Sequence, residues 1–373
     1  MSLIYSKDFF EGKRPWSLIK DEILKKYLPP YLKKVDKLNK QIVLIDGFAG
    51  PGHFNDGSFG SPYFMCNIAE GLVPGRYLAI LVNKDKRHHH QLTELLEGYI
   101  KAKSAFTLNG TASDLLNEVS RIITNQTVFI YLDQFGISGF CFTDLLPFLS
   151  REQQYSTELL LNINVPTIHR LSCKNQSSIS SNLNLRHSIL TRTFGGDYWK
   201  DFLLNNSLTP QIQISNLMEA YKHRLKDYLP QVLYCPIYER GPDSTLKYYL
   251  VFASRHIDAA ILLNDIMFKE YWKHIWNYEG KGTLFADMGF ELVLPRDYHD
   301  KLRNYILNYL NQGKVQRKRL WCFFVRDHFM KFSSGDFKNA IKSLYKEKKV
   351  NFIDVKGSKK INDDSILYLD GKN

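Results

Sequence analysis

The segment IVLIDGFAGPGHFNDG, residues 42–57, constrains this chain more than any other. Ile42 to Ile45 is a continuous apolar run that ends in an acid and a glycine-rich turn, the pattern of a strand buried on both faces of a parallel sheet. Gly47, Gly50 and Gly52 permit a tight turn in which backbone approaches a ligand closely, because no side chain stands between them. Asp46, beside Phe48 at the start of the turn, is placed to accept hydrogen bonds from a cationic amino group. A phosphate-binding loop needs GxxxxGK[ST] and a dinucleotide loop GxGxxG; neither spacing is present, which disfavours a nucleotide-dependent oxidoreductase.

The run opens an alternating pattern. Further strands are expected at Tyr77 to Val82, Ala105 to Leu108, Val128 to Leu132, Leu159 to Ile163 and Tyr248 to Ala253. Helical periodicity lies between them at Arg87 to Ala102, Ala112 to Ile123 and Thr143 to Leu149. Such alternation predicts a doubly wound, mostly parallel α/β sheet with its site at the carboxyl ends of the strands. Before it, residues 15–36 place Leu18, Ile19, Ile23, Leu24 and Tyr27 at helical spacing, with lysines on the other side and a break at Pro29-Pro30. Cys173 to Asn184, rich in Ser and Asn, reads as an exposed or mobile connection.

The 373 residues carry 50 Lys and Arg against 38 Asp and Glu, a net +12. From His299 onward there are 17 Lys and Arg against 8 acids, so +9 of that excess belongs to one end. The same end changes character after Pro295. Leu302, Tyr305, Ile306 and Tyr309 form one helical face, Leu320 to Phe332 a second helix, and Ser334 to Tyr345 a third, capped by Ser333 or Ser334. Val350 to Val355 and Ser365 to Leu369 read as two strands, which completes the pattern of a winged helix. Lys338, Lys342 and Lys346 recur on the face of the third helix opposite Phe337, Ala340, Ile341 and Leu344, and Lys356, Lys359 and Lys360 lie in the wing loop. This is an electrostatic footprint for nucleic-acid phosphates more than for base edges; protein docking is the rival use.

No window is apolar for the roughly 18 residues that a membrane span needs, and no export signal is visible. Cys66, Cys141, Cys173, Cys235 and Cys322 are too far apart for a zinc knuckle or disulfide framework, so a reducing cytoplasm is the expected location. His88, His89 and His90 are consecutive. On a helix their side chains diverge by about 100°, so a solvated helix start is favoured over a metal site.

The loop fits the D-x-F-A-G-x-G pattern of class I S-adenosylmethionine-dependent methyltransferases. In that class the second strand usually ends in an acid for the ribose hydroxyls; here Asn83 stands there, with Asp85 two residues later. The fourth strand of base amino-methyltransferases ends in a D-P-P-Y type sequence, and Asp133-Gln134-Phe135-Gly136 takes that place. Asp133 would orient an acceptor amine or hydroxyl and Phe135 would stack on a base. Together with PWSLIKDEIL…YLPPYL, GSP, YYLVFASRH and the basic end, these motifs resemble the three-Cys-motif partner protein family over nearly the whole chain. The resemblance implies a Rossmann-like class I methyltransferase domain at 41–295, a helical segment at 1–40 and a winged-helix domain at 299–373. It also implies S-adenosylmethionine bound by Asp46, Gly47, Phe48, Gly50, Gly52, Asn83 and Asp85, and a separate three-cysteine-motif protein as partner. Methyl transfer to DNA or RNA is the expected function. The alternative is a non-catalytic domain of the same fold that binds nucleic acid or docks a partner, since Asn83 and Gln134 both depart from the family pattern.

Overall fold

The computed structural model describes residues 15–172, 180–279, 294–354 and 360–371. The chain divides into two compact units, Met1–His256 and Ile257–Asn373, the second starting well before the change of composition at Pro295.

The first unit is built on a seven-stranded sheet. Its strands are β1 (Ile42–Asp46), β2 (Tyr77–Asn83), β3 (Ala105–Asn109), β4 (Thr127–Leu132), β5 (Thr157–Asn164), β6 (Gln231–Tyr238) and β7 (Leu246–Ser254). Its helices are α1 (Pro15–Val35), α2 (Ser61–Leu72), α3 (Lys86–Leu95), α4 (Glu97–Lys101), α5 (Ala112–Ile122), α6 (Phe142–Leu149), α7 (Val165–Leu171), α8 (Ser180–Phe194), α9 (Trp199–Leu203) and α10 (Pro210–Lys226). The order is β3-β2-β1-β4-β5-β7-β6. Strands β1 to β5 are parallel, β7 is antiparallel to β5, and β6 is antiparallel to β7. The expected doubly wound, Rossmann-like sheet is therefore present, and its order reverses at β1, between β2 and β4.

Alternate residues of each strand serve different faces. Val43, Ile45, Val128, Ile130, Leu159 and Leu161 bury against Leu115 and Leu116 of α5, Leu145 of α6 and Leu217 and Tyr221 of α10. On the opposite face α1 covers the sheet: Tyr27 lies 5.9 Å from the Phe129 ring and 5.6 Å from Phe252, and Tyr31 lies 5.3 Å from Phe129.

Several expectations need correction. The first helix runs through Pro29 and Pro30 to Val35 instead of breaking there. Each internal proline costs about 3 kcal/mol. Ile19, Ile23, Leu24, Tyr27, Leu28, Tyr31, Leu32 and Val35 are all buried, at about 1.5–3 kcal/mol per large apolar side chain, so packing wins. Leu18 is exposed, while Lys20 lies on the buried face with Ile19, not on the lysine side. The helix expected over 87–102 is interrupted at Leu96. Helix α8 starts at Ser180, inside the stretch read as a loose connection. Strand β6 lies outside the expected set; it carries Pro236, which is tolerated because β6 is the edge strand, with a register shift at Ile237/Tyr238.

The second unit holds α11 (Ile257–Glu279), α12 (Tyr298–Asn311), β8 (Val315–Gln316), α13 (Arg317–Asp327), α14 (Ser334–Lys346), β9 (Val350–Ile353) and β10 (Ile366–Leu369). The strands form an antiparallel sheet in the order β8-β10-β9. Helix α13 ends at Asp327, short of the expected Phe332. Ser333 caps α14, its hydroxyl accepting from the Asp336 N–H at 3.0 Å. Asn264 of α11 fixes the turn between α13 and α14, donating to the Phe332 carbonyl at 3.0 Å and accepting from the Met330 N–H at 2.7 Å. No described helix is long and apolar enough to cross a membrane.

One buried carboxyl lies beneath α1 away from the glycine loop. Glu158 accepts from the Tyr27 hydroxyl at 2.5 Å and from Ser254 at 3.5 Å. Burial pushes its pKa up to about 7, against the opposing pull of Tyr27, Lys34 and Ser254. A carboxyl raised in the folded state contributes stability that is complete below its unfolded pKa and is lost as pH rises through about 7. Glu158→Gln is expected to flatten the fall of the unfolding midpoint between roughly pH 4.5 and 7, read by thermal denaturation across that range.

Candidate functional site

The glycine loop is laced to both neighbouring strands. The Gly47 N–H donates to the Tyr131 carbonyl of β4 at 3.0 Å, and the Ala49 N–H donates to the Val82 carbonyl of β2 at 3.0 Å. Farther on, the Gly50 N–H closes onto Phe48 at 2.9 Å and the Gly60 N–H returns to the Gly52 carbonyl at 2.8 Å. Asp46 is fully buried and accepts from the Phe48 N–H at 3.0 Å and the Ser61 hydroxyl at 2.6 Å, tying β1, the loop and the first residue of α2 together. Burial pushes its pKa up to about 7, with hydrogen bonds from Ser61 and Phe48 acting in the opposite direction and Asp133 adding repulsion.

Two of the glycines have packing reasons of their own. A Cβ on Gly47 would stand 2.5 Å from Leu132, and one on Gly52, whose φ is +83°, would stand 2.5 Å from Leu95. Gly50 is the half-buried one of the three. Gly139, which the sequence reading passed over, makes room for Phe48: a Cβ there would lie 2.4 Å from the ring.

Asn83, at the end of β2, spends both its amide groups on the chain. Its Nδ2 donates to the Ala49 carbonyl at 3.2 Å and its Oδ1 accepts from the Asp85 N–H at 2.9 Å. Asp85 is exposed and caps α3, accepting from the His88 N–H at 2.9 Å, a bond that holds its pKa below the usual carboxylate range. The three histidines diverge: His88 faces Asp85 at 3.8 Å and His90 faces Glu94 at 3.2 Å. Among the described residues no group of three or more His, Cys, Asp or Glu converges on a point where a metal would sit.

Asp133 follows β4, two residues beyond Tyr131, which pairs with Asp46 across the sheet. Its Oδ1 accepts from Lys20 Nζ of α1 at 2.5 Å and from Asn162 Nδ2 of β5 at 2.8 Å. Its Oδ2 accepts a longer bond from the Tyr131 hydroxyl, 3.3 Å. Gln134 turns inward, its Oε1 accepting from the Gly139 N–H at 3.2 Å, while Phe135 is 64% exposed. Asp46 to Gly52 and Asp133 to Gly136 thus emerge from adjacent parallel strands at the point where the sheet order reverses, the place where open α/β sheets bind ligands. Lys20 and Asn162 are the residues the sequence reading missed here. Lys20 had a signal: it is the one charged side chain at the buried positions 19, 20, 23, 24, 27, 28, 31 and 32 of α1. Asn162 had none beyond being polar inside an apolar strand.

In the second unit Lys338, Lys342 and Lys346 are exposed along α14, opposite the buried Phe337, Ala340, Ile341 and Leu344. Lys360 is exposed as well, whereas Lys356 and Lys359 lie outside the described residues.

No protein-family model matches the chain, and no curated protein does. Among solved structures, similarities include an O-methyltransferase from Bacillus cereus in complex with S-adenosylhomocysteine, at 15% identity and TM-score 0.32 over 67% of this chain and 94% of that one. A spermidine synthase from Thermotoga maritima aligns at 12% identity and TM-score 0.34, over 68% and 65% of the two chains. A methyltransferase from Podospora anserina with bound S-adenosylhomocysteine aligns at 10% identity and TM-score 0.31, over 64% and 85%. At these scores the alignments add nothing about the reaction; the sheet's own order defines the fold.

Gly52→Ala is expected to lower stability by about 1–3 kcal/mol, since it combines left-handed backbone with a clash on Leu95. Denaturant unfolding reads this directly; an unchanged midpoint would contradict the packing assigned to Gly52.

Proposed function

We propose that the chain binds S-adenosylmethionine at the glycine loop and transfers its methyl group to a nucleic acid, acting with a separate three-cysteine-motif protein. One observation carries this reading: an acidic glycine loop and a hydrogen-bonded aspartate, Asp133, leave neighbouring strands at the sheet's switch point. The residues fit the cofactor in kind. Gly50 offers partly open backbone, Asp85 an exposed carboxylate two residues beyond β2, and Asp133 a half-buried one beside the loop. When bound, the cofactor supplies an activated methyl on a sulfonium. This chain's part is to hold the acceptor in line and take its proton, with Asp133 accepting from the acceptor's N–H or O–H and Phe135 stacking on a base.

The second unit has the composition and element order of a winged helix, and the Lys338, Lys342 and Lys346 stripe suits phosphates. The partner protein enters through the family resemblance alone. A second reading, a non-catalytic binder of the same fold, is favoured by Asn83, whose amide is committed to Ala49 and Asp85 where an acid would engage ribose hydroxyls.

Calorimetry with S-adenosylmethionine and S-adenosylhomocysteine tests the cofactor: binding is expected, and its absence would refute the methyl-transfer reading. With labelled cofactor and pooled DNA and RNA, Asp133→Asn is expected to reduce methyl incorporation by about 10²-fold or more. Unchanged incorporation would remove Asp133 from the chemistry. Replacing Lys338, Lys342 and Lys346 together by alanine is expected to lower the slope of log affinity against log salt by about 2–3 while leaving cofactor binding intact.

A further inference from the structure

Lys20 is a cation buried where the cofactor reading least expects one. It sits on the apolar face of α1, its side chain about nine-tenths buried, with Nζ 2.5 Å from Asp133 Oδ1 and 5.1 Å from the centre of the Tyr248 ring. Asn162 donates to the same carboxylate oxygen at 2.8 Å, so Oδ1 is filled from two sides. Among the described residues Oδ2 accepts only the 3.3 Å bond from Tyr131, so it is the oxygen with capacity for a further bond. An ion pair this enclosed is costly to assemble and contributes little net stability over an apolar pair of the same shape, so net stability alone is a poor reason for it.

We propose that Lys20 is a positioning residue for the methyl-transfer site. It fixes Asp133 through Oδ1, turns Oδ2 toward the acceptor, and cancels the carboxylate's charge as felt by the cofactor's sulfonium. Without that cancellation a bare carboxylate beside the loop would hold the cationic cofactor in its ground state. Stabilising the reactant cation in this way works against transfer, because the positive charge leaves sulfur in the transition state. The inference rests on the cofactor reading above and adds to it a residue and a charge balance.

The experiment compares two ligands that differ by one methyl and one charge, the cationic S-adenosylmethionine and the neutral S-adenosylhomocysteine, by calorimetry on the full chain. A unit charge about 6 Å from the sulfonium, at an effective dielectric of about 20, changes affinity for the cation by about 10²-fold. Lys20→Met is expected to raise the preference for S-adenosylmethionine by about that factor, Lys20→Arg to restore the original ratio, and Asp133→Asn to shift it the opposite way. A purely structural role would weaken both ligands together and leave the ratio unmoved in Lys20→Met and Asp133→Asn alike; that result overturns the inference while the cofactor reading stands. If the unsubstituted protein binds neither ligand, the cofactor reading falls and takes this inference with it.

Discussion

Strand β1 is hydrogen-bonded along its whole length on both sides, by β2 and by β4, with all three strands parallel. Parallel neighbours cannot be joined by a tight turn, so the chain must leave β1, cross a face of the sheet and come back for each partner. Because the order reverses at β1, the connections on either side of it separate at its carboxyl end, the place where open α/β sheets bind ligands. Both the position of the glycine loop and the closeness of Asp133 to it follow from this one pairing. The five buried residues of β1 are its cost and its signature, since a strand enclosed on both faces and both edges has no room for a polar side chain until Asp46 at its end.

Helix α1 packs on one face of the same sheet and is held by polar contacts as well as by apolar packing. Lys20 reaches Asp133 toward the carboxyl ends of the strands, and Tyr27 reaches Glu158 toward the other. An apolar helix face sliding on an apolar sheet has many positions of similar energy. Two buried hydrogen-bonded contacts seven residues apart, about two helical turns, leave one position at which both are satisfied. The helix that precedes the sheet is thereby tied to Asp133 through Oδ1.

How far these features were readable from the residues depends on the distance over which each is decided. The strands β1, β2 and β4 and the cap of α14 are local: apolar runs with polar or acidic ends, and a serine three residues before an aspartate, carry their own signals. Helix α1 through Pro29 and Pro30 is decided by burial against Phe129 and Phe252, about a hundred or more residues away, and local propensity points the wrong way. Strand β6 exists because β7 supplies its one ladder among the described residues, an edge that tolerates Pro236. The site divides in the same manner. The glycine loop and the Asp133 turn are contiguous motifs, whereas Lys20 and Asn162 join them only through tertiary contact.

The packing of Phe48 against Gly139 has a consequence for how such chains can vary. The ring comes from the loop after β1 and the vacant side of the glycine from the turn after β4, so neither position is free by itself. A methyl group at 139 requires a smaller residue at 48, and a smaller residue at 48 leaves a void that a larger one at 139 can fill. In chains descended from a common ancestor the two positions would trade volume while their sum stayed nearly constant, recording in covariation that the two loops are one steric unit.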